Sequence, residues 1–103
     1  MYKPRFSGFF GTELHDVLQQ RGVKRLIVVG ATTSVCVDST VRDAMFRDYH
    51  CLVVSDATAE PIAADAPRSN HEASLLTLEL LFAHVATAKD VVAALSATAA
   101  LPA

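Results

Sequence analysis

The sequence predicts an α/β fold built on a parallel sheet. Three observations carry that expectation. Short apolar strands alternate with helix-period segments along the chain. The runs Leu26-Ile27-Val28-Val29 and Cys51-Leu52-Val53-Val54 are continuously apolar, as in parallel strands covered on both faces. No repeat or linker interrupts the order helix, strand, helix, strand, helix, strand, helix.

Residues Met1 to Gly11 read as a loop, with Pro4 followed by Phe6, Phe9 and Phe10 and glycines between them. A first helix is expected from Thr12 to Arg21. Thr12 is its N-cap, Leu14, Val17 and Leu18 form its apolar stripe, and Gly22 is its stop. Arg25 to Val29 is the first strand. A second helix is expected from about Val35 to Asp48, with Val37, Val41, Ala44 and Met45 inward. Asp38–Arg42 and Asp43–Arg47 fall at i,i+4 on its outer side. The second strand, Cys51 to Val54, ends at Ser55-Asp56, and Ala57 to Arg68 reads as a loop with two prolines. The capping box Ser69-x-x-Glu72 opens a third helix that runs to about Phe82. A short strand near His84 to Ala86 follows. Thr87-x-x-Asp90 then caps a last helix that frays into an alanine-rich end.

A chain of 103 residues makes one small domain at most. A net charge of −2 excludes the basic surface that a nucleic-acid partner needs. The apolar runs are too short to span a bilayer, and Met1 to Arg5 carries no apolar stretch of a secretion signal. Two cysteines without C-x-x-C spacing point to a reducing compartment, and the cytoplasm is the expectation. His15, His50, His71 and His84 are scattered without a metal-ligand spacing, so no metal and no cofactor are expected.

Cys36 is the most informative position. The apolar strand stops at Gly30, the polar stretch Ala31-Thr32-Thr33-Ser34 follows, and a helix begins beside the cysteine. Unpaired N–H groups and the positive end of the helix dipole favour thiolate over thiol there. The same N–H groups can hold an oxyanion. Against this stands the plainer role of a small buried hydrophobe. That plainer role is the expectation for Cys51, which lies inside an apolar strand. Lys3 reads from sequence as a solvated charge. Asp56 reads either as catalytic or as the cap of a following turn. His50 and His71 read as surface residues. Phe6, Phe9 and Phe10 read first as core, with a substrate wall as the alternative.

Two segments resemble the isochorismatase-like cysteine hydrolases. Lys3-Pro4-Arg5-Phe6-Ser7-Gly8-Phe9-Phe10-Gly11-Thr12-x-Leu14 is similar to the lysine segment of that family. Gly30-Ala31-Thr32-Thr33-Ser34-Val35-Cys36-Val37, followed by Ser39-Thr40-Val41-Arg42-Asp43-Ala44, is similar to its nucleophile segment, and Asp56-Ala57 also fits. The wording is closest to the ureidoacrylate and biuret branch.

The resemblance implies a three-layer α/β/α, Rossmann-like fold of which this chain is the C-terminal portion. It implies an Asp-Lys-Cys triad in which Lys3 is the lysine and Cys36 the nucleophile. The aspartate belongs to the end of the family's first strand, upstream of Met1. It also implies a cis peptide at Ala31–Thr32, with the N–H groups of Thr32 and Cys36 as the oxyanion hole. The implied chemistry is hydrolysis of a small amide or ureido substrate through a thioester, in a protein that is a homo-oligomer when complete. Nicotinamidases of the family hold a metal through residues of the first half, which lies outside this chain.

Two readings of function follow. One is a cysteine amidohydrolase, inactive or impaired as this portion alone. The other is a non-catalytic α/β module acting only in oligomerisation. A narrow sheet argues for a portion of a larger domain. A crevice at the Cys36 strand needs a neighbouring strand on each side, and the chain order offers one.

Overall fold

The computed structural model describes residues 1–67 and 69–99. Arg68 at the end of the expected loop, and the alanine-rich end beyond residue 99, lie outside the described residues. After the N-terminal loop come α1 (Leu14–Gln20), β1 (Arg25–Ala31), a five-residue turn at Thr33–Val37, and α2 (Asp38–Phe46). Then follow β2 (His50–Ala59), α3 (Asn70–Leu81), β3 (Ala83–Ala86) and α4 (Ala88–Ala99). The three strands form one sheet in chain order, and both pairings are parallel.

The helix boundaries follow local chemistry. Arg21 is the C-cap of α1, and Gly22 follows it at φ 67°, where a side chain would be strained. Gly22 N–H donates to Gln19 O and Val23 N–H to Leu18 O, which closes the last turn in a Schellman motif. Thr12 Oγ1 accepts from Leu14 N–H at 3.3 Å, so the expected cap forms one residue before the helix's cap position. Glu13 occupies the cap position without a side-chain bond, and the Thr12 hydroxyl also donates to Gly8 O at 2.6 Å, folding the N-terminal loop. The second helix ends two residues earlier than expected. Asp48 at φ 66° turns the chain out, with Asp48 N–H on Met45 O and Tyr49 N–H on Ala44 O. Both expected ion pairs form, Arg42–Asp38 at 2.9 Å and Arg47–Asp43 at 3.8 Å. They lie at the surface, where such a pair contributes at most about 1 kcal/mol. Ser69 accepts from Glu72 N–H and Thr87 from Asp90 N–H, as the capping patterns require.

One face of the sheet carries the core. Leu26, Val28, Cys51, Val53, Ala83 and Val85 point to it and meet Leu14 and Leu18 of α1, Val41 and Ala44 of α2, and Leu78 of α3. Tyr49 closes this core beside Phe9, ring centroids 5.6 Å apart, and its hydroxyl meets His15 Nδ1 at 2.9 Å. The opposite face packs α4 against β2, with Val91 buried. The chain is therefore a three-layer α/β/α arrangement.

Two strand expectations are corrected. β1 is not covered on both faces, because Ile27 is 49% and Val29 57% exposed while Leu26 and Val28 pack inward. On that side α4 lies over β2 and leaves β1 at the rim. The second strand does not stop at Val54 but continues to Ala59. Its register with β1 breaks between Val28↔Val53 and Gly30↔Thr58, so a short excursion around Ser55–Ala57 is followed by renewed pairing through Ala31↔Ala59. Gly30, at φ 123°, sits at that break. The renewed pairing brings Thr32 and Glu60 out of the sheet side by side, and this positions the candidate site.

Candidate active site

Cys36 lies in the turn between β1 and α2, at the C-terminal end of the sheet. The turn is wider than an α-turn: Val37 N–H reaches back five residues to Thr32 O at 3.1 Å. Such widened turns cluster at functional positions. The Ala31–Thr32 peptide bond that leads into the turn is cis. Val37 and Thr33 face inward and are buried, whereas Cys36 is half-buried.

Lys3 reaches this turn from the N-terminal loop. Its Nζ stands 4.0 Å from Cys36 Sγ and also donates to Arg5 O and Phe6 O, at 3.2 and 3.3 Å. These carbonyls hold the ammonium over the sulfur although Lys3 is exposed. The loop itself is anchored to α2, since Gly8 N–H donates to Thr40 Oγ1 at 2.9 Å. Ser7, buried, accepts from Phe9 N–H at 3.0 Å. Gly11 lies over Pro4, whose Cγ would be 2.9 Å from a side-chain carbon there, so the loop closes only with glycine.

The three phenylalanines separate. Phe9 is 3% exposed and belongs to the core, so it does not line a substrate site. Its position follows from the loop: the Ser7 and Thr12 bonds turn residue 9 inward onto Tyr49. Phe6 and Phe10 are exposed. Asp56 resolves as a cap, its Oδ1 accepting from Ala88 N–H at 2.7 Å at the start of α4. Cys51 is buried in the middle strand, and desolvation pushes its thiol pKa up.

Two further residues meet the Cys36 turn: Glu60, which sequence reading passed over, and His71, whose surface reading is corrected by its bond to a buried hydroxyl. Glu60, just after β2, accepts from Ser34 N–H at 2.7 Å through Oε1 and from Ile62 N–H at 3.3 Å through Oε2. Desolvation, the largest single influence on Glu60, opposes its ionisation. The hydrogen bonds from Ser34 and Ile62 and the nearby His71 charge outweigh it and hold the carboxyl below its ordinary range. His71, in the first turn of α3, places Nδ1 2.9 Å from Thr33 Oγ1. Thr33 is fully buried, and an unpaired hydroxyl there would cost about 1–3 kcal/mol. No spacing rule exposes these contacts, which join positions 26 and 38 residues apart. Among the described residues, no group of three or more His, Cys, Asp or Glu side chains is placed to hold a metal ion. Nor, among the described residues, is any helix long and apolar enough to cross a membrane.

The isochorismatase domain model matches residues 1–90 of this chain. The chain belongs to the isochorismatase family. A curated member, the ureidoacrylate amidohydrolase RutB of Enterobacter sp., is 42% identical over 88 residues, which is 85% of this chain and 36% of that protein. The chain thus spans less than half the length of this relative. An isochorismatase-like hydrolase from Alkaliphilus metalliredigens superposes with a TM-score of 0.79 at 34% identity, covering 89% of this chain and 48% of that one. A cysteine hydrolase from Pseudomonas syringae pv. phaseolicola superposes with a TM-score of 0.77 at 36% identity, covering 86% of this chain and 45% of that one. The parallel sheet, its strand order and its helical layers are those of the isochorismatase-like fold.

Proposed function

We propose that this chain carries the nucleophile and the lysine of a cysteine-dependent hydrolase of small amide or ureido C–N bonds. The approach of Lys3 Nζ to Cys36 Sγ at 4.0 Å, with the ammonium held there by the Arg5 and Phe6 carbonyls, supports this reading most directly. The similarity to a ureidoacrylate amidohydrolase and to a cysteine hydrolase supports the substrate class and the nucleophile.

In this reading the Cys36 sulfur attacks the carbonyl carbon of the substrate. Lys3 sets a positive charge beside the sulfur. The N–H groups of Thr32 and Cys36 receive the oxyanion of the tetrahedral intermediate. The C–N bond then breaks, the nitrogen leaves with a proton as ammonia or an amine, and the acyl group stays on sulfur as a thioester. Water cleaves the thioester, releases the acid and restores the thiol. The proton transfers need a base, typically a contribution of about 10²–10⁴-fold. We assign that base to an aspartate in the part of the family fold that this chain does not span. Phe6 and Phe10, exposed on the lysine loop, are the candidate substrate wall. The working protein is taken to be a cytoplasmic homo-oligomer, a form suited to the two free cysteines and to the exposed Ile27 and Val29.

The test is ammonia release from a panel of ureido and carboxamide substrates. The 103-residue chain is assayed alone and joined behind the N-terminal portion of the Enterobacter relative, each with and without Cys36→Ser. Turnover by the joined protein that Cys36→Ser abolishes is the expected result. Turnover that survives the substitution overturns the nucleophile assignment, and robust turnover by the chain alone overturns the assignment of the base.

A further inference from the structure

We propose that Glu60 and His71 are positioning residues that clamp the Thr33–Val37 turn from two other parts of the fold and so set where Cys36 Sγ stands relative to Lys3. The inference rests on the reading of Cys36 as the nucleophile and adds how its place is held.

The turn's own backbone bonds close on the Thr32 and Thr33 carbonyls, and Val37 anchors its far end in the core, but its near end is left to outside contacts. The turn is five residues long and widened, and its leading residue, Thr32, makes no side-chain cap. Two side chains from elsewhere supply what the turn lacks. Glu60 leaves β2 beside Ala31 and gives one carboxylate oxygen to the N–H of Ser34, two residues before the cysteine. Its other oxygen takes Ile62 N–H, which fixes the carboxylate to its own backbone. His71 leaves the start of α3 and holds the hydroxyl of Thr33, three residues before the cysteine. Thr33 is wholly buried, so its hydroxyl has no solvent to turn to. The two bonds act on adjacent residues and come from different elements. Together they fix both the displacement and the rotation of the turn. Lys3 approaches the same sulfur from the N-terminal loop, so the Lys3–Cys36 separation depends on the turn staying where the clamp holds it.

Charge gives the obvious competing account. A carboxylate near a thiol disfavours the thiolate, so a Glu60 that acted through charge would slow Cys36 and its removal would quicken it. The clamp predicts the reverse for alanine and little change for an uncharged isostere. Glu60→Gln keeps an oxygen for Ser34 N–H. His71→Asn keeps a polar atom where Nδ1 stands, and it can donate or accept as Thr33 requires.

The experiment measures iodoacetamide alkylation of Cys36 in the 103-residue chain near neutral pH, read by peptide mass, with a thermal melt of each variant beside it. Glu60→Ala and His71→Ala should each slow alkylation of Cys36 roughly tenfold, with Glu60→Gln and His71→Asn within about twofold of the parent, because alkylation follows the thiolate fraction and a sulfur that drifts from the Lys3 ammonium loses the charge that favours thiolate. Melts that fall while all four variants alkylate at the parent rate would show a purely structural role and overturn the clamp. Faster alkylation in both Glu60 variants would overturn it in favour of charge. The isosteres keep the question answerable where an alanine variant fails to fold: slowing in the folded Gln or Asn variant as well would refute the assigned bonds. Alkylation reads the sulfur and needs no turnover, so a failed ammonia assay leaves this result standing.

Discussion

Cys36 and Cys51 are the same side chain in opposed surroundings. Cys51 is 3% exposed in the middle strand, paired with Leu26 on one side and Ala83 on the other, and burial pushes its thiol pKa up. Cys36 is half-buried on a turn at the sheet's end, with an ammonium 4.0 Å away and side chains from the segment after β2 and from α3 tied to the two preceding polar residues. The difference shows that a cysteine's chemistry is set by the backbone it stands on. A strand interior encloses the sulfur in apolar neighbours. A strand-to-helix turn leaves it at an edge that loops from distant parts of the chain can reach.

The largest expected effect tests that contrast directly. In folded protein near neutral pH, Cys36 should take iodoacetamide at least about 10²-fold faster than Cys51, because Cys51 reacts only through opening of the core. Peptide masses after timed quenching report both rates, and equal rates would break the comparison.

Opening the core should move one cysteine and not the other. Leu78, fully buried, lies in the same cluster as Cys51. Leu78→Ala should lower unfolding stability by about 2–5 kcal/mol in urea titrations. It should speed labelling of Cys51 and leave Cys36 near its parent rate. Acceleration of both would mean that the turn is as dependent on the core as the strand is.

A remote backbone change sharpens the contrast further. Gly22→Ala meets no atom within 4 Å, so its cost is that of a side chain at φ 67° alone, about 1–2 kcal/mol. A lower melting temperature with unchanged Cys36 labelling is expected. A change at Cys36 would show that the end of α1 reports to the site.

The smallest effect is the pH response of Cys51. Its folded pKa lies above the ordinary value of 9.0, so between the two the folded chain binds the extra proton. Stability from this group is therefore fully present below about pH 9 and falls as pH climbs toward the raised value. Urea melts between pH 8 and pH 10 should show a steeper fall for the parent than for Cys51→Val. Identical slopes would place the thiol in a less desolvated site than the structure gives it.

Much of this was legible beforehand because the signals are local. Continuous apolar runs marked the strands, the 3.6-residue spacing of Val37, Val41 and Ala44 marked the inner side of α2, and the Ser69 and Thr87 caps marked where α3 and α4 begin. Lys3 was different. Its residue type and position alone described a solvated charge, and only the resemblance to a family segment tied it to Cys36. Glu60 and His71 carried no signal, since a carboxylate on a loop and a histidine in a first helical turn are ordinary surface residues until something faces them.

The sequence by itself determined the class of fold, the order of its elements and the burial of Cys51 in a strand, because each depends on residues within a few positions of one another. Tertiary structure alone decided which loops meet at Cys36. It decided that Phe9 turns inward while Phe6 and Phe10 stay exposed, and that Asp56 caps α4. It decided that β2 rejoins β1 and so delivers Glu60 to Ser34. These outcomes depend on the register between strands and on the packing of helices, and neither is a property of any short stretch of chain.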